Sequence, residues 1–152
     1  MRPTTVGGPS VEHRAAGSTS AFRASDVGRA VTTIRPDELD ARLADGDDPF
    51  VLDIRPESNY QRGAIEGSRN VPVYDDLRSG DDASLRGRLD EIPRDRDVVV
   101  VCKMGIVAKR ATGLLREEGY DAATLAGGMS GWNGYQRGSL GYKLRSLIWR
   151  LF

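Results

Sequence analysis

Residues 97 to 119 read DVVVVCKMGIVAKRATGLLREEG, and they carry the clearest structural pattern in the chain. The unbroken run of valines that ends at Cys102 is typical of a strand buried on both faces, as the central strand of a parallel sheet is. From Ile106 to Glu118, apolar residues recur at helical spacing along one face. Gly119 can end that helix in a left-handed turn. The stretch therefore predicts a strand, a short loop and a helix in succession.

Strand and helix patterns alternate over residues 31 to 137, which we expect to form one domain. Further strands are predicted at residues 30–34, 50–54, 70–73 and 122–125, helices from residue 36, at 57–62 and at 83–92, and a polar loop at 78–82. Such alternation is typical of an α/β fold. We expect a central, mostly parallel five-stranded sheet that is flanked by helices on both faces.

The composition argues against several kinds of chemistry. The chain has 22 basic and 22 acidic residues, so no overall field attracts nucleic acid, and none is expected as a partner. A single cysteine, Cys102, excludes an intramolecular disulfide and a zinc site built from several cysteines. The only histidine, His13, precedes the predicted domain. We therefore expect neither a catalytic histidine nor a bound metal, and no cofactor.

The position of Cys102 suggests a reactive thiol. It ends a buried strand, and parallel sheets bind ligands at the carboxyl ends of their strands. The loop behind it leads into a helix, where free backbone N–H groups and the positive end of the helix dipole meet. A thiolate is stabilised in such a place and becomes a nucleophile. Lys103 and Lys109 add positive charge nearby. The simpler alternative is that Cys102 is a small buried hydrophobe.

Two segments carry a more specific signal. Residues 51 to 73 read VLDIRPESNYQRGAIEGSRNVPV, and residues 98 to 132 read VVVVCKMGIVAKRATGLLREEGYDAATLAGGMSGW. The first resembles a strand followed by Asp-x-Arg and a Gly-x-Ile-x-Gly-x-x-Asn-Val-Pro turn. The second resembles a catalytic strand, a cysteine loop and a helix, followed by Gly-Gly-Met-x-x-Trp. Together they resemble the two signatures of the single-domain rhodanese-like sulfurtransferase family, in the right order.

The resemblance implies a rhodanese-like fold and a ping-pong transfer of sulfur. Cys102 would take a sulfur atom from thiosulfate or another persulfide and hold it as Cys–S–SH. Cyanide, a thiol or an acceptor protein would then remove it. In the family's pattern, the persulfide would be bound by the loop residues Lys103, Met104, Gly105, Ile106 and Val107. The ring of amides in this loop would act much as an oxyanion hole does.

The resemblance also implies supporting residues. Asp53 and Arg55 would shape the floor of the site by hydrogen bonds and an ion pair, without a chemical role. The far wall would consist of Gly127, Gly128 and Met129, with Trp132 packed beneath.

The chain departs from the family's pattern at two places. Many members carry Arg-Ser where this chain has Val107 and Ala108, and many carry His where it has Ala64. Without that arginine, we expect weaker binding of an anionic sulfur donor such as thiosulfate. With Met104, Ile106 and Val107 at its mouth, the pocket suggests a bulkier or protein-borne sulfur donor.

Two other functions compete with the sulfurtransferase. One is a non-catalytic rhodanese-fold module that binds or regulates a partner. The other is a cysteine phosphatase or arsenate reductase, which needs Arg six residues after its cysteine to hold a tetrahedral oxyanion. Position 108 is Ala, so such a transition state would be poorly stabilised. The phosphatase is therefore strongly disfavoured.

The two ends of the chain differ from the predicted domain. Residues 1–30 are polar and lack periodicity, which predicts a flexible leader. Residues 138–152 are predicted to form a basic amphipathic helix. Through residues 140–152 it could pack on its own domain, contact a partner or a second copy, or lie on an anionic membrane surface. No apolar run approaches the roughly 20 residues of a membrane span, and no secretory signal is evident. We therefore expect a cytoplasmic protein.

Overall fold

The computed structural model of the chain describes residues 32–138. The leader predicted at residues 1–30 lies outside the described residues. So does the predicted C-terminal helix, apart from residue 138. The described residues make up the domain that lies between these two segments.

Five parallel strands form one sheet in the described part of the chain. They are β1 (Thr33–Ile34), β2 (Phe50–Asp53), β3 (Arg69–Asn70), β4 (Val98–Val101) and β5 (Ala122–Leu125). Their order across the sheet is β1-β5-β4-β2-β3, and every neighbouring pair is parallel. The valine strand β4 therefore lies at the centre. The prediction of a mostly parallel five-stranded sheet is confirmed.

Helices follow the strands in chain order. They are α1 (Pro36–Ala44), α2 (Glu57–Arg62), α3 (Tyr74–Ser79), α4 (Ala83–Arg86), a 3-10 turn (Leu89–Glu91), α5 (Ile106–Glu117) and α6 (residues 128–138). Pro36 begins α1 with its fixed φ, and Asp37 and Glu38 follow at the positive end of the helix dipole.

Alternate residues of β4 point to two hydrophobic layers. Val98 and Val100 pack in a core with side chains from three helices on one face: Leu77 of α3, Leu85 of α4 and Leu115 of α5. Val99 and Val101 pack in a second core with Leu39 of α1 and with Met129 and Trp132 of α6. All four valines are fully buried. The helices therefore cover both faces, as predicted, and the buried run of valines is explained.

Three local predictions were wrong. The strand predicted at residues 70–73 pairs only as far as Asn70, because Pro72 has no N–H to donate and the chain turns into α3. That helix includes the first residues of the predicted loop at 78–82. The helix predicted at 83–92 ends at Arg86, where Gly87 follows, and resumes only as a 3-10 turn. Glycine is a poor helix former, which accounts for the break.

Candidate active site

Cys102 directly follows β4 at the carboxyl edge of the sheet. The strand ends at Val101, and Cys102 is 1% exposed. A short loop then leads to Ile106, where α5 begins. Because β4 is the central strand of a parallel sheet, this loop lies at the edge where such sheets bind ligands. The structure therefore brings the cysteine, the loop and the start of α5 to one point.

The main chain of this loop offers hydrogen-bond donors to the sulfur. The N–H of Gly105 donates to Cys102 Sγ at 3.0 Å. Gly105 has a φ of 87°, a conformation that favours glycine. Within residues 32–138, no acceptor meets the main-chain N–H groups of Lys103, Met104, Ile106 and Val107. Together with the uncapped start of α5, these groups favour negative charge on the sulfur or on an atom bonded to it.

The side chains of the loop form an apolar and cationic rim. Met104 is 56% exposed and Ile106 is 75% exposed, and these two are the large exposed apolar residues of the described chain. Lys103 and Lys109 are exposed and form no ion pair within residues 32–138. Val107 is half-buried against the core on the α5 side. An incoming reagent therefore meets apolar surface and positive charge.

The segment that begins at Gly128 contacts the backbone of the cysteine loop. Met129 donates its N–H to the carbonyl oxygen of Cys102 at 2.8 Å, and Ser130 donates to that of Lys103 at 3.1 Å. Gly128 lies so close that a Cβ atom there would be 2.3 Å from the carbonyl oxygen of Cys102. The segment expected to form the far wall thus touches the loop through its backbone, while Met129 and Trp132 are buried in the core beneath.

Asp53 and Arg55 form a buried ion pair at the end of β2. Arg55 Nη2 is 2.8 Å from Asp53 Oδ2, Arg55 Nε donates to the same carboxylate, and the two side chains are 9% and 1% exposed. The backbone N–H of Arg55 also donates to Asp53 Oδ1. Since β2 pairs with β4 and aligns Asp53 with Val101, this pair lies beside the strand end that carries Cys102.

Asn70 joins this turn to the next strand, a role that the sequence did not reveal. Its Nδ2 donates to the carbonyl oxygens of Asp53 at 3.0 Å and of Arg55 at 2.8 Å. Arg55 Nη2 in turn donates to the carbonyl oxygen of Gly63 at 2.8 Å. The signal that could have indicated Asn70 is the Asn-Val-Pro near the end of residues 51–73. These contacts fix the backbone on both sides of Arg55.

The positions that depart from the family's pattern lie in different surroundings. Ala108 is fully buried in the core on the α5 side. The position at which a phosphatase needs an oxyanion-binding arginine is therefore occupied by a small buried side chain. Ala64 is exposed and lines a pocket together with Arg55 and Trp132. A histidine there would fill part of that pocket.

The acidic residue that precedes α4, Asp82, pairs with an arginine. Asp82 accepts a hydrogen bond from Arg110 of α5 at 2.6 Å, and this bond lowers the pKa of the Asp82 carboxyl.

Within residues 32–138, no three His, Cys, Asp or Glu side chains are grouped so that they could hold a metal ion. Over the same residues, no helix is both long and apolar enough to span a bilayer.

A family model and two known sulfurtransferases match the sequence of this chain. The sequence model of the rhodanese-like domain matches residues 35–135. A sulfurtransferase of Allochromatium vinosum is 32% identical over 103 residues, which are 67% of this chain and 88% of that protein. The adenylyltransferase and sulfurtransferase MOCS3-1 of Zea mays is 33% identical over 60% of this chain, but the match spans only 19% of that longer protein.

A solved structure shows the same fold. The rhodanese-related protein of Thermoplasma volcanium superimposes with a TM-score of 0.55 at 23% identity. The match covers 68% of this chain and 92% of that one.

Proposed function

The chain belongs to the rhodanese-like family of sulfurtransferases, and on that premise we propose that Cys102 carries a sulfane sulfur as a persulfide. One observation supports this most directly: Cys102 Sγ accepts a hydrogen bond from the N–H of Gly105, in a loop whose other N–H groups lack acceptors in the described chain. Such a loop stabilises an anion that is bonded to the cysteine. A persulfide is an anion of that kind, with its charge on the outer sulfur.

The proposed reaction has two half-reactions. The Cys102 thiolate attacks the outer sulfur of thiosulfate or of a persulfide donor. A new S–S bond forms, the S–S bond of the donor breaks, and sulfite or a thiolate leaves with the electron pair. An acceptor nucleophile then attacks the outer sulfur of Cys102–S–SH, and Cys102 leaves as a thiolate. No external oxidant or reductant enters this balance, and we propose that the domain needs no cofactor or metal.

The supporting residues act by position. The ion pair of Asp53 and Arg55, bonded to Asn70, fixes the backbone beside the strand end of Cys102. The loop residues Lys103 to Val107 would surround the outer sulfur.

We place the reaction in the cytoplasm, where thiol donors and acceptors are kept reduced.

The test is the mass of the intact protein after incubation with thiosulfate or with an organic persulfide. We expect one additional sulfur atom on Cys102, which cyanide then removes as thiocyanate. Prior alkylation of Cys102 should prevent the uptake. A protein that stays unmodified by several sulfur donors would contradict the proposal.

That negative result would favour the second candidate, a non-catalytic rhodanese-fold module that binds or regulates a partner. A specific observation favours it: Cys102 is only 1% exposed, as a structural cysteine is. The enzyme requires that a donor reach this sulfur through the loop, whereas the binding module does not. The mass measurement therefore separates the two functions.

The chemistry of the rim leads us to propose a donor bulkier than thiosulfate. We expect Val107→Arg to raise kcat/KM for thiosulfate by about tenfold, because a guanidinium near the thiol adds a charge-assisted hydrogen bond to the dianion. The measurement is the rate of thiocyanate formation from thiosulfate and cyanide.

The matched control for this change is Gly113→Arg. It adds the same charge to α5 six residues further along the helix, at an exposed residue where an added Cβ meets no neighbour within 4 Å. We expect that variant to differ little from the wild type. Equal rate increases in both variants would mean that net charge, and not the position at 107, determines the rate with thiosulfate.

A further inference from the structure

A polar pocket of about 370 Å³ is lined by Arg55 and Met129 at the edge of the candidate site, and the reaction proposed above assigns it no ligand. Its walls include Arg55, Asn59, Arg62, Ala64 and Met129. Met129 connects it to the site, because its N–H donates to the carbonyl oxygen of Cys102. The pocket is therefore adjacent to the strand end where sulfur transfer would occur.

Arg55 presents an unused donor to this pocket. Its side chain is only 9% exposed, and Nε and Nη2 are taken up by Asp53 and by the carbonyl oxygen of Gly63. In the described chain, no acceptor meets Arg55 Nη1. Arg55 Nη1 is not fully buried, so solvent reaches it. A largely buried guanidinium with a free amino group is a site for an anionic oxygen.

The charge balance of the pocket points the same way. The charge of Arg55 is matched by Asp53. Arg62, at the end of α2, is exposed and forms no ion pair within residues 32–138. The side-chain amide of Asn59 can donate a further hydrogen bond. One unmatched positive charge and several donors therefore surround the space that Ala64 leaves open.

We propose that this pocket binds a carboxylate of the sulfur acceptor or donor, which would be a small organic thiol or its persulfide. This proposal rests on the sulfurtransferase function. In the acceptor half-reaction, the bound thiolate R–S⁻ attacks the outer sulfur of Cys102–S–SH. The products are R–S–SH and the Cys102 thiolate, so atoms and charge balance. The carboxylate takes no part in the bond changes and only orients the thiol.

The ligand has to span the end of the sheet. Cys102 packs with the core on the α5 side, whereas Met129, which lines the pocket, packs with the core on the α6 side. A molecule that reaches both must cross the ends of β4 and β2. This favours a thiol that is separated from its carboxylate by several bonds, as in a short peptide.

The test compares two acceptors that carry the same thiol and differ in whether their carboxylates are free or esterified. Protein preloaded with sulfur is mixed with glutathione or with its diethyl ester, in which both carboxylates are blocked, and the loss of the sulfur atom is followed by intact mass. The readout is the rate constant for glutathione divided by the rate constant for the ester. Comparing this ratio between protein variants removes the difference in intrinsic reactivity of the two thiols. We expect Arg62→Gln to lower this ratio about fivefold, as one exposed charge-assisted hydrogen bond is lost. Ala64→Phe, which fills the pocket, should lower it at least as much.

The matched control is Arg78→Gln. Arg78 is an exposed arginine in the last turn of α3, as Arg62 is in α2. We expect the ratio of this variant to equal that of the wild type. A ratio that is unchanged in both Arg62→Gln and Ala64→Phe overturns the proposal.

A second measurement does not depend on sulfur transfer. S-methylglutathione, which has no free thiol, is titrated into the full chain, and the Trp132 indole N–H is followed by NMR. We expect a saturable shift that is lost in Ala64→Phe. Should Cys102 take up no sulfur while this shift persists, the carboxylate site would stand and the sulfurtransferase proposal would fail. Without any shift, the site is rejected.

Discussion

Replacing Cys102 with Ser should abolish sulfur transfer and lower the rate by about 10⁴-fold or more. A hydroxyl is hardly ionised at neutral pH unless a general base assists it. Residues 32–138 contain no histidine, and N–H groups such as that of Gly105 stabilise an anion without removing a proton. An oxygen also cannot form the S–S bond that stores the transferred atom. The measurements are thiocyanate formation and the mass of the protein after donor treatment.

A second variant separates chemistry from folding. Cys102 is buried, so the hydroxyl of serine could lose hydrogen bonds to water and lower the free energy of unfolding by about 1–3 kcal/mol. Cys102→Ala introduces no hydroxyl and should be equally inactive. Circular dichroism and denaturant unfolding then show whether each variant is folded. A folded serine or alanine variant that transfers sulfur within tenfold of the wild-type rate would contradict the role of Cys102.

The central part of the fold could be predicted because its signals are local. The valines of β4 are fully buried, and a run without polar residues has few other places in an α/β domain. The helix that follows has a clear apolar face, and α5 ends at Glu117, within one residue of the prediction. Cys102 could be placed at the sheet edge for the same reason, since it is the residue where this strand stops.

The peripheral elements depended on longer-range contacts. The N–H of Tyr74 donates to the carbonyl oxygen of Ile54, which helps to start α3 where the sequence suggested the end of a strand. β3 is only two residues long, too short to show an alternating pattern. Such elements are determined by neighbours that are distant in the chain, so propensity alone did not reveal them.

The same distinction applies to the site. The positions of Asp53 and Arg55 followed from the pattern of residues 51–73. The pocket beside them did not, because it depends on the bond from Arg55 to Gly63 and on the approach of Met129. These contacts join segments that are separated by many residues. The sequence indicated the proposed nucleophile, Cys102, but it left undetermined the shape of the surface around it.

The second large effect is expected at Gly128, which packs against backbone atoms of the cysteine loop. We expect Gly128→Ala to lower the free energy of unfolding by about 2–4 kcal/mol, through overpacking and a positive φ. An added Cβ would lie 2.3 Å from the carbonyl oxygen of Cys102 and 2.8 Å from the nitrogen of Gly105. Both are backbone atoms, so the loop has to move. Sulfur uptake should fall about 100-fold, because main-chain N–H groups of the loop that are displaced by about 1 Å no longer form hydrogen bonds with the outer sulfur.

The control for this prediction is Gly134→Ala in α6. An added Cβ at Gly134 meets no atom within 4 Å, and this glycine has no positive φ. Here alanine should raise the free energy of unfolding by about 0.5–1 kcal/mol, since it limits the unfolded chain and favours the helix. Denaturant unfolding and sulfur uptake are measured for both variants at a temperature where both remain folded. If Gly128→Ala matched the wild type in stability and uptake, the close packing of Gly128 would not be what holds the loop, and the geometry around Cys102 would need another cause.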